Sequence, residues 1–267
     1  MLVDSHCHLD YHLRNGDIDD VVARAHAAGI GTIVTICTKL SEAEIVRSIA
    51  AKYDNVWCTM GVHPHDAEDE FPNDAKTLID LSKGEKVVGI GESGLDFFYE
   101  HSPRDKQRQS FLLHIEAARE TGLPLVVHAR DADEEMATIL RSEMEKGAFR
   151  GVMHCFSSGP ELARAALDIG FYISISGIVT FKKAQDLRDI VAEVPLARLL
   201  VETDAPYLTP EPFRGKRNEP VYVQHTAAKV AEIKGISDDA LADATTANFF
   251  TLFDRATPAQ AMRAQTH

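Results

Sequence analysis

Cations are scarce in this chain. Against 41 acidic residues stand 28 basic ones, giving a formal net charge of −13. A surface of that sign opposes electrostatic coating of duplex nucleic acid, which is itself a dense line of negative charge. It still allows an enzyme that grips a few phosphates locally. One short basic loop, Arg214, Lys216 and Arg217 in EPFRGKRNEP, could hold phosphate or could simply be solvated charge. Cysteine is sparse too: Cys7, Cys37, Cys58 and Cys155, with no CxxC pair. All four lie in or beside apolar segments, so they read as reduced, mostly buried thiols of a cytoplasmic protein. No apolar run approaches the roughly 18 residues of a membrane span. No basic region followed by an apolar stretch opens the chain, so a secretory signal is not expected. Ser5, Ser93 and Ser157 lack a GxSxG setting, so no serine nucleophile is indicated. Linkers, low-complexity stretches and strong internal repeats are also missing. Residues 1–255 are therefore expected to form a single domain, with 256–267 as a flexible tail.

What the chain does have is alternation. Short apolar runs at 2–6, 30–36, 56–61, 87–91, 124–128, 151–155, 171–175 and 199–203 read as strands. Stretches of helical period separate them. Phe111, Leu112, Ile115 and Ala118 share one face in 105–120; Ala132, Met136, Ile139, Leu140 and Met144 share another in 131–146. Gly29, Gly122, Gly147 and Gly170 each stop a helix-like stretch before a strand. Eight strand–helix repeats imply a parallel sheet, and the expected fold is an α/β protein of the (β/α)8 TIM-barrel type. An open doubly wound sheet is the fallback. A hydrophobic content of 45% supplies the core.

Five of these runs end in residues that bind metals: LVDSHCH, VVGIGES, PLVVHA, GVMHCF and LLVETDAP. In a barrel such ends meet at one rim. His6 and His8 are two apart, so they share a strand face while Cys7 points into the helix layer. Glu92, among Gly89, Gly91 and Gly94, offers two carboxylate oxygens that can bridge two ions. His128 and His154 are the first polar side chains after buried apolar residues. Glu202 and Asp204 are again two apart. Asp204 is the better placed to bind a metal and take a proton from bound water; Glu202 could bind water or an extra ion, or carry a buried salt bridge. Asp96 could orient a ligand from behind. His63, in GVHPHDA, could donate to a phosphate oxygen, whereas His65 reads as a loop residue. His12, His26, His101, His114, His225 and His267 read as surface residues. Imidazole and carboxylate without thiolate suit Zn, Mn or Fe, and a carboxylate-rich site can use Mg.

With DSHCHLD at 4–10, GVHPHDA at 61–67, GESGLDFFYE at 91–100, LPLVVHARDA at 123–132, MHCFS at 153–157, LLVETDAPYLTP at 199–210 and RGKRNEP at 214–220, the chain closely resembles the TatD family of metal-dependent deoxyribonucleases, a branch of the amidohydrolase-like barrels. The resemblance implies a (β/α)8 fold, two divalent metal ions (Mg, Mn or Zn) and phosphodiester hydrolysis, often from the 3′ end. It implies His6, His8 and Asp204 on one ion, His128 and His154 on the other, Glu92 between them, and His63 on substrate phosphate. Arg217 and Asn218 fall where the family shapes the substrate mouth. Ser158, with the glycine shifted to Gly159, and Ala129 depart from the commoner pattern near that mouth. The expected catalytic groups are Glu92 and Asp204, and the expected substrate is single-stranded or frayed DNA, met by a monomer. Two rivals stand: hydrolysis of a carbonyl centre such as an aminoacyl-tRNA ester, amide or lactone, and a protein that binds metal or nucleic acid without turnover.

Overall fold

The computed structural model describes residues 1–258, in which the alternation becomes one sheet of eight parallel strands in sequence order. The strands are β1 (Leu2–Cys7), β2 (Ile30–Thr35), β3 (Val56–Met60), β4 (Val87–Asp96), β5 (Leu125–Arg130), β6 (Gly151–Met153), β7 (Tyr172–Ile175) and β8 (Leu199–Val201). Among the described residues ten α-helices lie between and after them: α1 (Leu9–Asn15), α2 (Ile18–Ala27), α3 (Ala43–Lys52), α4 (Ala75–Leu81), α5 (Arg104–Thr121), α6 (Asp133–Lys146), α7 (Pro160–Asp168), α8 (Gln185–Glu193), α9 (Val223–Lys234) and α10 (Asp238–Leu252). This is the expected barrel. From residue 259 on, the expected tail, with His267, lies outside the described residues.

The sheet curls until its first and last strands meet. Among the described residues no regular ladder joins β8 to β1; the seam closes just beyond β8. There the Asp204 N–H donates to His6 O at 2.9 Å and the His8 N–H to Ala205 O at 2.7 Å. Beneath them the buried Asp4 carboxylate accepts from the Thr203 N–H at 2.8 Å and its hydroxyl at 2.5 Å. The barrel interior is filled by Val3, Val34, Trp57, Val88, Val126, Val152, Tyr172 and Leu200. Phe249, Leu252 and Phe253, at the end of α10, pack into the same cluster and plug the end opposite the ligands. A second cluster fills the layer between strands and helices and includes Cys7, Val21, Ile33, Phe111 and Ile115, so Cys7 faces the helices as expected. All four thiols are free.

Several details differ from the sequence reading. Leu112 is 40% exposed, and the buried face of α5 instead carries Gln107, Ser110 and His114 beside Phe111, Ile115 and Ala118. His12 and His114, expected at the surface, are fully buried. His12 faces Asp17, with Nδ1 3.5 Å from Oδ1. β4 runs on to Asp96 because its ladder with β5 continues through Gly94↔His128 to Asp96↔Arg130. A side chain at Gly94 would meet His128 O at 2.0 Å, so only glycine lets the two strands approach there. β8 is shorter than expected. Its backbone leaves the sheet when the Thr203 N–H turns to the Asp4 carboxylate, and Asp204 takes a left-handed φ of 57°.

Candidate metal centre

The barrel brings all six expected ligands to one end of the sheet. Glu92 lies inside β4, at the irregularity in register between Ile90 and Ser93, and is 2% exposed. Its two oxygens face different histidines. Oε2 lies 3.3 Å from His6 Nε2. Oε1 lies 2.7 Å from His154 Nε2, 3.1 Å from His128 Nδ1 and 3.4 Å from His63 Nε2. On the Oε2 side, Asp204 Oδ1 is 3.4 Å from His8 Nε2 and 3.7 Å from His6 Nε2. The ligand atoms of His6, His8 and Glu92 form one tight group, and those of His63, Glu92 and His128 another. A third group joins His6, His154 and Glu202, so the two halves touch; the His6 and His154 rings stack at 4.0 Å.

A ring of buried groups fixes these imidazoles from behind. Asp96 Oδ2 is 3.1 Å from His128 Nε2 and 2.8 Å from His65 Nε2. Its Oδ1 accepts the N–H groups of Phe98 and Tyr99. Gln107 clamps the Asp96 backbone on both sides, accepting its N–H at 2.8 Å and donating to its carbonyl at 3.1 Å. Glu202 is fully buried, accepts the Cys155 N–H at 2.7 Å and stands 3.4 Å from His154 Nδ1. His114 is further back. Its Nε2 accepts the Val62 N–H at 2.9 Å, which sets the backbone next to His63, and its Nδ1 donates to Ser110 O at 2.7 Å.

Electrostatics follow from that crowding. Burial alone would raise the Glu92 carboxyl, but His154, His63 and His6 outweigh it and hold it well below the usual carboxylate range. Asp204 is likewise lowered by His8 and His6 against its burial. Burial would lower His154 and His128; Glu92 and Glu202 raise the first, and Asp96 and Glu92 the second. Burial, with His154 beside it, lowers His6. His63 is pushed down to about 4, chiefly by burial. The residues fit a bound cation. His6 Nδ1 and Nε2, His154 Nδ1 and Glu202 Oε2 are buried without a hydrogen-bond partner, an arrangement costing about 1–3 kcal/mol per group unless an ion satisfies it. The facing donors are nitrogen and oxygen only, which suits a divalent ion of hard to borderline character.

Other expected site residues sit differently. Asn218 is fully buried. Its amide donates to Thr203 O at 2.9 Å and Tyr207 O at 2.5 Å, and its oxygen accepts the Glu219 N–H. That uses both its N–H donors to brace the loop carrying Asp204, leaving none to donate to a phosphate oxygen. Arg217 is paired with Asp17. His65, expected to be a bystander, is tied to Asp96. Sequence reasoning missed His65, Gln107 and His114. The last two show a usable signal, since Gln107, Ser110 and His114 repeat at helical spacing on the apolar face of α5, where a polar residue needs a partner.

Residues 3–254 match the family described as TatD related DNase. The chain is 45% identical over 255 residues to the uncharacterized metal-dependent hydrolase YcfH of Escherichia coli K12, covering 94% of this chain and 95% of that protein. It is 37% identical over 244 residues to a protein of Klebsiella pneumoniae named 3′-5′ ssDNA/RNA exonuclease TatD, covering 89% and 92%. The crystal structure of the TatD homologue YJJV from Escherichia coli K12 superposes with a TM-score of 0.87 at 29% identity, covering 95% of this chain and 98% of that one.

Proposed function

The chain belongs to the TatD-related DNase family, and from that premise we propose that this metal-dependent hydrolase removes nucleotides from the 3′ ends of single-stranded or frayed DNA. The observation that carries the reading is the Glu92 carboxylate, whose two oxygens face two histidine sets at the open end of the barrel. His6, His8 and Asp204 would hold one divalent ion and His128 and His154 the other, with Glu92 between. When bound, Mg2+, Mn2+ or Zn2+ supplies an acidified water and neutralises charge on a phosphoryl group.

The chain's own residues do the rest. Asp204 stays ionised and can accept the proton of an attacking water. His63 Nδ1 accepts the His65 N–H at 3.1 Å, so its neutral ring carries the hydrogen on Nε2, where it can donate to a phosphoryl oxygen. Asp96 and Glu202 fix which nitrogens of His128 and His154 face Glu92. The packed barrel interior closes the site to water from beneath.

A scissile phosphate must reach the top of a narrow barrel, which a strand end does more readily than a stiff duplex. The test offers end-labelled linear and circular single-stranded DNA, and an aminoacyl ester, with and without chelator. Metal-dependent loss of the linear strand alone is the expected result. Equal degradation of the circle would show an endonuclease. Turnover of the ester with neither DNA cut would favour the carbonyl reading, and no turnover of any substrate would favour a binding protein.

A further inference from the structure

We propose that the loops after β7 and β8 form a cationic track that holds the sugar–phosphate backbone of a single strand on the side away from its scissile end. This rests on the nuclease reading above and extends it to residues outside the metal centre. Four exposed cations gather there: Lys182 and Lys183 after β7, Arg214 and Lys216 after β8. Among the described residues none of the four has a carboxylate partner, whereas neighbouring Arg217 is paired with Asp17 and most other cations of the chain are paired or bound to carbonyls. The acids of the β8 loop do not cancel them. Asp204 faces His8 and Glu219 is paired with Arg24, so the four cations still outnumber the nearby unpaired acids, Glu211 and Asp186 at the start of α8.

The cations are held ready. The Arg214 guanidinium lies 3.8 Å from the centre of the Phe181 ring, and Lys216 Nζ 5.2 Å from that of Phe213. Phe213 is in turn stacked on Tyr222 at 4.6 Å. A guanidinium stacked on a ring keeps its edge N–H groups free for phosphate oxygens and loses less freedom on binding. The loops are also rigid. A side chain at Gly177 would meet Leu208 O at 2.2 Å, so the two loops are in direct backbone contact. Thr180 Oγ1 accepts the Glu211 N–H at 2.9 Å, and Arg188 donates to the carbonyls of Val179 and Phe181. Both loops leave the rim that carries Asp204. In parallel barrels the loops after the seventh and eighth strands frequently build a phosphate site. In a chain of net charge −13, a local excess of cations on that rim selects where a polyanion can approach.

The experiment uses the metal-loaded protein and single strands from a dinucleotide to roughly sixteen nucleotides, which spans common single-strand site sizes of about 4–16 nucleotides. For the wild type KM should fall as the strand lengthens, and log affinity for an end-protected strand should fall with log salt. The double reversals Lys182→Glu with Lys183→Glu, and Arg214→Glu with Lys216→Glu, should each lose at least about tenfold of the length-dependent gain. Each should also flatten the salt slope by about 1.4, or about 0.7 per phosphate contact removed. Thermal melting checks folding, and the matching double alanine variants serve if a reversal unfolds. Cleavage by the wild type with unaltered length dependence and salt slope in both reversals would overturn the track alone. A wild type that cuts no strand of any length would overturn the nuclease reading and the track with it.

Discussion

Glu92 joins two histidine sets through one side chain, so its chemistry is separable from theirs. Glu92→Gln keeps the shape and removes the charge. Elemental analysis of protein saturated with metal should find nearly two divalent ions per wild-type chain, and the variant should lose both together with turnover. A wild type that stays at one ion would sink the bridging role. His63→Ala should keep its metal and lose substrate use, while His128→Ala should lose metal outright. Equal metal loss in the two would erase the distinction between ligand and substrate contact. His114 gives a pH test. Its burial holds the imidazole at about 4, against the ordinary 6.5. That stabilisation is complete above pH 6.5 and is lost as pH falls from 6.5 through 4, because the unfolded chain takes up the proton first. On the order of 3 kcal/mol is involved. His114→Gln, which cannot titrate, should show a shallower fall of melting temperature across that window; a curve parallel to the wild type's would refute this. His128 and His154 were legible as candidate ligands because each is the first polar side chain after an apolar run. For His114 the helical repeat with Gln107 and Ser110 marks a buried polar face, but it does not name the partner, a backbone N–H fifty-two residues away.

At the level of elements, strand and helix order could be read from period and helix-stopping glycines, but strand ends could not. β4 outruns its apolar stretch because pairing with β5 continues past it, and β8 stops early because Asp4 takes the Thr203 N–H. Both causes are long-range. The packing of α10 was equally hidden, since nothing local says that Phe249 and Phe253 fill the barrel floor. Their rings stack at 4.9 Å inside it. Phe253→Ala should cost about 3–5 kcal/mol by leaving a cavity there. Denaturant unfolding measures the loss, with metal stoichiometry unchanged because the centre lies at the other end. A cost below about 1 kcal/mol would mean the floor collapses freely around the gap.

For the whole molecule, an ion held by the candidate centre would also tie strands of the sheet to one another. Ions that bind only the folded chain stabilise it by mass action, by about 2.7 kcal/mol at a hundredfold excess over Kd. The melting temperature should therefore rise with added divalent metal and fall with chelator. No difference between the two would mean that the buried imidazoles and carboxylates are satisfied without an ion. The net charge of −13 was visible in the sequence, yet its distribution was not. EPFRGKRNEP suggested a basic loop, but which of its cations are spoken for depends on Asp17, two hundred residues upstream of Arg217.

The seam between β1 and β8 also orders events in time. During synthesis His6 emerges almost two hundred residues before Asp204, yet the two share one backbone hydrogen bond and face one another across the same pocket. Until the last strand leaves the ribosome the growing polypeptide has neither a closed barrel nor the partner carboxylate of His6 and His8. Chains arrested before residue 199 should accordingly release a bound divalent ion far more readily than the finished protein, and equal retention by the two would contradict this. A centre assembled from residues so far apart along the message stays incomplete until the strand that closes it has been translated.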